Sequence, residues 1–181
     1  KSHACKDDFV MNIGRVYTVA LTGMHTDTVT VQGFISQGLP QFTIVGLPDA
    51  VLTQARERVK SACKTTNFRW PQTRITLNLS PSSLRKHGSS FDLSIAICIF
   101  SAMHCISSSI LEDTVIVGEL GLDGSVLPIV GALPIVLHAR AMGMSRVILP
   151  QANEHEAQTV TGIDVIGVLR SLVTVEELSG P

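Results

Sequence analysis

The stretch from Phe91 to Met103 constrains this chain more than any other. It reads Phe-Asp-Leu-Ser-Ile-Ala-Ile-Cys-Ile-Phe-Ser-Ala-Met, a helix's length of residues that is apolar almost all the way round. Such a helix cannot lie with one face in water and must be central. Ser89, with Asp92 three residues on, makes a capping-box-like start with Asp in place of the usual Glu. The rest of the chain has to supply the cover. With 181 residues, 45% hydrophobic and 16% charged, it suits one domain burying roughly two-thirds of its unfolded surface. The same composition excludes disorder. Mean hydropathy is +0.32, but the longest apolar run, Val126 to Leu137, contains Pro128, Gly131 and Pro134. A spanning helix needs about 20 apolar residues, so a soluble domain with no membrane contact is expected.

Around the central helix the pattern is mixed. Val16 to Leu21 and Thr28 to Ile35 are β-branched runs separated by a turn at Gly23, and Gln41 to Val45 follows a turn at Gly38-Leu39-Pro40. The three read as a strand meander. Gly46-Leu47-Pro48-Asp49 opens a helix whose apolar stripe is Leu52, Ala55, Val59, Ala62 and Cys63. Arg74 to Leu79 alternates as a strand, and Thr114 to Glu119 reads as another. Asp123-Gly124 signals a hairpin returning through Ser125 to Ile129. A helix from about Ala132 to Met142, a strand at Arg146 to Leu149, a short helix capped by Asn153, a strand at Ile163 to Val168 and a closing helix at Ser171 to Leu178 complete the chain. The architecture is α/β, an initial β-meander followed by alternating strands and helices.

The start of the chain carries no apolar segment resembling a signal peptide. The four cysteines form no CxxC pair, and Cys98 and Cys105, two helical turns apart in an apolar stretch, suit buried thiols. Both features point to the reducing cytoplasm.

Charge is nearly balanced at −1 but segregated. From Arg56 to Lys86 eight basic residues face the single Glu57, a local +7, whereas from His87 onward three arginines face ten acids. Such segregation produces a basic face for a polyanion, unless acids elsewhere fold back over it. Arg56, Lys60 and Lys64 sit four apart beside the apolar stripe, the spacing of either a phosphate-tracking flank or a solvated helix face. Phe68-Arg69-Trp70 with Arg74 interleaves aromatics and arginines, suiting either single-strand stacking or packing under the helix, with packing favoured. No GxxxxGK[ST] loop, HExxH or Cys-His zinc spacing is present. Glu154-His155-Glu156 reads as first-turn acids rather than a metal site.

Several long segments carry a family resemblance. They are Gln41-Phe-Thr-Ile-Val-Gly-Leu-Pro-Asp-Ala50 with Arg56-Glu-Arg-Val59, Arg74-Ile-Thr-Leu-Asn-Leu-Ser-Pro81, and Gly88-Ser-Ser-Phe-Asp-Leu-Ser-Ile-Ala96. Val117-Gly-Glu-Leu-Gly-Leu-Asp-Gly124, running through Leu127-Pro-Ile129 to Gly131, completes the set. Together they resemble the N-terminal domain of the ComM/YifB proteins, bacterial magnesium-chelatase-like AAA+ ATPases. The likeness runs from about Met11, where such proteins typically start, to Leu178. It implies residues 11–178 as one Lon-protease-type (ribosomal-protein-like) domain, with residues 1–10 an extension. The AAA+ module, with its ATP and Mg, is absent from this chain, and no cofactor or metal is implied for the domain itself. The parent protein would be a cytoplasmic hexamer, a DNA motor linked to branch migration of incoming strands in competence.

Similarity to Lon raises the question of a Ser-Lys peptidase. By that resemblance Ser90 falls on the nucleophile and Lys86 on the lysine of the preceding run. Leu133 occupies the place of the general-base lysine. A serine hydroxyl needs a base within hydrogen-bond reach, and leucine supplies none. No lysine follows Lys86 in the chain, and His87 and His104 are poorly placed to replace one. Ser89 and Ser90 are therefore expected to cap the helix. The leading expectation is a non-catalytic domain serving hexamer assembly and weak DNA contact through Arg56, Lys60, Lys64, Arg69, Trp70, Arg74, Arg85 and Lys86. A purely architectural ring-forming domain and a weak Ser90-dependent peptidase are the alternatives.

Overall fold

The computed structural model describes residues 12–65, 68–84, 89–171 and 178. β1 (Asn12–Thr22) and β2 (His25–Ser36) lead into β3 (Gln41–Val45), α1 (Asp49–Thr65) and β4 (Arg74–Ser80). Then come α2 (Asp92–Ala102), the short α3 (Ser108–Leu111) and β5 (Thr114–Ile116). β6 (Glu119–Leu120), β7 (Val126–Leu127), α4 (Ala132–Ala141), β8 (Arg146–Pro150), α5 (Gln151–Ala157) and β9 (Asp164–Val168) follow. Seven strands form one mixed sheet in the order β3-β4-β2-β1-β5-β8-β9, and β6 with β7 makes a separate hairpin. The fold is α/β. The closing helix expected at Ser171 to Leu178 lies mostly outside the described residues.

Strand order departs from a meander at one point. β1 and β2 pair antiparallel from Asn12↔Ile35 to Thr22↔His25, but β3 does not lie against β2. β4 intervenes, antiparallel to β2 and parallel to β3. The short Gly38–Pro40 turn suggests a hairpin, yet the helix that follows β3 returns the chain beside it, and a strand-helix-strand unit pairs its strands in parallel.

Side-chain parity assigns two cores to the two faces of the sheet. Val16, Ala20, Ile116 and Ile148 join the cluster beneath α1 and α2, whereas Val19, Val115, Val147 and Leu149 join the one beneath α4 and α5. α2 is buried along its whole length, as its composition demands. It lies directly on the sheet because Gly14 and Gly33, cross-strand partners in β1 and β2, leave room for it. A Cβ on Gly14 would sit 2.2 Å from the Cys98 carbonyl oxygen, and one on Gly33 would sit 3.0 Å from Cys98 Sγ. Cys98 Sγ donates to the Val31 carbonyl at 3.5 Å. Burial pushes the Cys98 thiol up to about 12. Cys105, by contrast, lies past the end of α2 and is exposed, because the helix stops at Ala102 before the second turn needed to bury it.

Two further expectations change locally. The strand expected over Thr114 to Glu119 divides into β5 and β6, and its return is shortened to Val126–Leu127. Gly118 causes the break by turning its backbone to the start of α2, where a Cβ would lie 3.1 Å from Leu93 Cδ2. Asn153 sits inside α5 rather than capping it. Its side chain accepts from the Ile129 N–H and donates to the Ile129 carbonyl, both at 2.9 Å, fixing the loop ahead of α4. Among the described residues no helix is long and apolar enough to cross a membrane.

Candidate functional site

The start of α2, where Lon-type enzymes would place a nucleophile, is joined to Gly118 through backbone bonds rather than capped by Ser89 or Ser90. The N-cap is Phe91, with no side-chain cap. The Leu93 N–H donates to the Gly118 carbonyl at 3.0 Å, and the Gly118 N–H donates to the Ser90 carbonyl at 2.9 Å. The Ser89–Asp92 capping box does not form because the Asp92 carboxylate is engaged elsewhere. Arg58 on α1 donates Nε to Oδ2 at 2.6 Å and Nη2 to Oδ1 at 3.1 Å, and the Leu120 N–H reaches Oδ2 at 3.3 Å.

This pair is the strongest electrostatic feature of the described residues. The Asp92 side chain is 1% exposed and that of Arg58 19%. Burial pushes the Asp92 carboxyl up to about 6, against the downward pull of Arg58 and the Leu120 N–H, while nearby Glu119 adds to the rise. The hydrogen bond to Asp92 holds Arg58 above its usual value. Burying a charge costs several kcal/mol, and only a well-formed partner offsets it. A lone carboxylate in an otherwise apolar helix therefore demands a cation, and that requirement was the sequence signal for Arg58.

Ser90 is partly exposed. Leu133, 39% exposed, sits in the first turn of α4. His104 lies beyond the far end of α2, about 20 Å along the helix axis from Ser90 at 1.5 Å per residue. Its Nε2 is 3.0 Å from Asn12 Oδ1. Arg85, Lys86 and His87 lie outside the described residues.

The basic flank of α1 comes together with the chain leading into β4. Lys60 and Lys64 are exposed and rim an open hollow of about 160 Å³ that Trp70 also lines. Trp70 is 8% exposed and meets Phe42 edge-on at 5.2 Å between ring centroids, so it is a wall of the hollow rather than a free stacking face. Phe68 packs on Phe100 at 4.0 Å. Arg69 and Arg74 flank this segment and are exposed, whereas Arg56 is half-buried with its Nε lacking a partner. The ion pairs among the described residues involve Arg58 and Arg146, so none there ties an acid to Lys60, Lys64, Arg69 or Arg74. Sequence reasoning missed the polar part of the hollow, Gln41, Gln72 and Thr73. Gln41 starts β3 more than 30 residues before the others, and only the β3–β4 pairing joins them.

Among the described residues no three His, Cys, Asp or Glu side chains gather where they could hold a metal ion. Glu154 instead accepts from the Gly167 N–H at 3.2 Å, tying α5 to β9.

The family model for subunit ChlI of Mg-chelatase matches residues 31–153. An uncharacterized protein of Mycobacterium tuberculosis is 43% identical over 158 residues, covering 87% of this chain and 31% of that protein. YifB of Escherichia coli is 36% identical over 152 residues, 84% of this chain and 30% of YifB. Competence protein ComM of Haemophilus influenzae is 36% identical over 170 residues, 94% of this chain and 33% of ComM. The chain belongs to the magnesium-chelatase-like ComM/YifB family. This ComM/YifB-type domain spans about a third of the length of the curated relatives it matches. A weaker likeness, 26% over 166 residues, links it to Lon protease of Treponema pallidum and agrees with its Lon-like α/β architecture.

Proposed function

We propose that this chain is the non-catalytic Lon-like domain of a ComM-type ATPase, where it supports ring assembly and contacts DNA through α1 and the segment leading into β4. One observation carries the DNA contact. Lys60 and Lys64 are exposed at one hollow, Arg69 and Arg74 are exposed at the two ends of the 70–73 segment that lines it, and none of the four has an ion-pair partner among the described residues. Uncompensated cations grouped on one surface attract a phosphate backbone irrespective of its sequence. In this reading the parent protein is a cytoplasmic hexamer. Its AAA+ module, outside this chain, handles ATP and Mg, and ring formation multiplies a contact that is weak in one copy.

The absence of peptidase activity rests on Leu133, whose side chain has no lone pair to take a proton from Ser90. The competing architectural reading is favoured by a separate observation. Val130, Leu133, Leu137 and Met142, on and beside α4, are 89%, 39%, 41% and 40% exposed, an apolar row suited to a protein neighbour.

The deciding experiment reverses Lys60 and Lys64 to Glu. Both side chains point away from the apolar stripe, so the fold is expected to persist. DNA affinity should fall for every sequence, and the log–log salt slope should flatten by roughly 0.9 for each phosphate the variant no longer neutralises. Unchanged DNA binding by the assembled protein would remove this face and leave the architectural reading.

A further inference from the structure

We infer that the hollow beneath Lys60 and Lys64 is a nucleotide subsite that admits one unpaired base of a DNA strand. The inference rests on the DNA-contact reading and adds to it a preference for single strands. Lys60 and Lys64, one helical turn apart on the rim, are placed for a phosphate. Pro40, Phe42, Trp70 and Pro71 form apolar walls, and Gln41 and Gln72 add side-chain amides, all lining the same space. Phosphate affinity alone needs only the lysines, and an apolar pocket alone needs no lysines. Their combination matches a unit that is anionic at one end and a flat heterocycle at the other.

Size and chemistry narrow the occupant further. An open hollow of about 160 Å³ suits one ring system rather than a base pair. A paired base can enter only by leaving its stack. Gln72 Nε2 donates to the Trp70 carbonyl at 3.3 Å, but an amide keeps a second N–H and an acceptor oxygen, so Gln41 and Gln72 suit the edge of any base and impose little sequence preference. Thr73, beside them, has a buried hydroxyl with no partner. Buried hydroxyls nearly always find one, so hydrogen-bonding capacity in the lining of the hollow is unclaimed among the described residues.

The protein carries its own reporter, because Trp70 is its single tryptophan. Emission from Trp70 is followed at low ionic strength with an oligo(dT) strand, an abasic strand of equal length, a duplex of equal length and dTMP. The oligo(dT) strand should quench Trp70 and bind at least threefold more tightly than the abasic strand. The duplex should bind without quenching. The variant Gln41→Ala/Gln72→Ala, altered only at exposed side chains, should bring oligo(dT) down to the abasic level. Equal binding of the oligo(dT) and abasic strands without a Trp70 response overturns the subsite. Quenching by dTMP with none by the strand assigns the hollow to a free nucleotide and likewise overturns it. The DNA-contact reading fails separately, if Lys60→Glu/Lys64→Glu leaves abasic-strand binding unchanged.

Discussion

α2 and α4 are both apolar helices on opposite faces of one sheet, and they end up in opposite situations. α2 is buried at every position and anchored at its start by an ion pair and two backbone bonds to Gly118. α4 starts from Gly131 in a left-handed conformation, buries Ala132, Ile135, Val136 and Ala139, and leaves Leu133 and Leu137 toward solvent. Apolar content alone does not separate a fully buried helix from one that stays partly exposed. The difference lies in what reaches over each one: α1, β6 and the sheet cover α2 completely, whereas Leu133, Leu137 and Met142 at the outer side of α4 stay about 40% exposed among the described residues.

The comparison breaks most severely at Arg58. Arg58→Ala leaves Asp92 buried without its cation and is expected to destabilise the fold by about 3–5 kcal/mol, read as a lowered urea midpoint. Polar substitution of the outer row of α4 is expected to cost far less.

The pH dependence of α2 sharpens the same contrast. Asp92 titrates at about 6 in the folded protein against an ordinary 3.8, so the native state binds this proton more tightly than the unfolded chain. The contribution of Asp92 to stability therefore rises as pH falls from above 6 toward 3.8, and is lost as pH rises through 6. The swing is about 2–3 kcal/mol. Urea titrations across pH 4–7 should show it in the wild type and not in Asp92→Asn. In Arg58→Ala the rise should begin at higher pH, because Arg58 holds the carboxyl down.

On α4, Leu133→Gln/Leu137→Gln should change stability by less than about 1 kcal/mol. If the outer row meets a second copy, the same variant lowers self-association in sedimentation. Unchanged association would return α4 to the status of an ordinary surface helix. The smallest effect is expected at Ser90, whose side chain does not cap α2. Ser90→Ala should shift the midpoint by no more than about 0.5 kcal/mol and alter no activity. Cleavage of an unfolded protein substrate that disappears in this variant would revive the peptidase reading.

The sequence made the helices legible because their periodicity is local. The stripe of α1 at Leu52, Ala55, Val59, Ala62 and Cys63 faces inward, and the reach of α2 was set by its composition. What it hid was tertiary. Ser89 and Asp92 have the spacing of a cap, but an arginine 34 residues earlier takes the carboxylate. β3 follows β2 by a hairpin-like turn, yet a later strand slides between them. At the candidate site, Lys60 and Lys64 were visible as a basic flank, whereas the role of Trp70 as a wall depended on Phe42 across the β3–β4 pairing. A pattern of four residues cannot report a partner thirty residues away.

The paired glycines under α2 have a mechanical consequence. With no side chain at Gly14 or Gly33 to act as a cushion, the backbone of the helix rests on the backbone of the β1–β2 hairpin. Sliding would drive the Cys98 carbonyl into the strand. Arg58 then clamps α1 to the same helix. Hairpin, α2 and α1 are thus expected to act as one cooperative unit, whose amides should exchange with solvent in a single opening event rather than helix by helix. The lysines on α1 inherit that stiffness. A load applied at the lysine flank of α1 is expected to pass to the centre of the sheet through these backbone contacts.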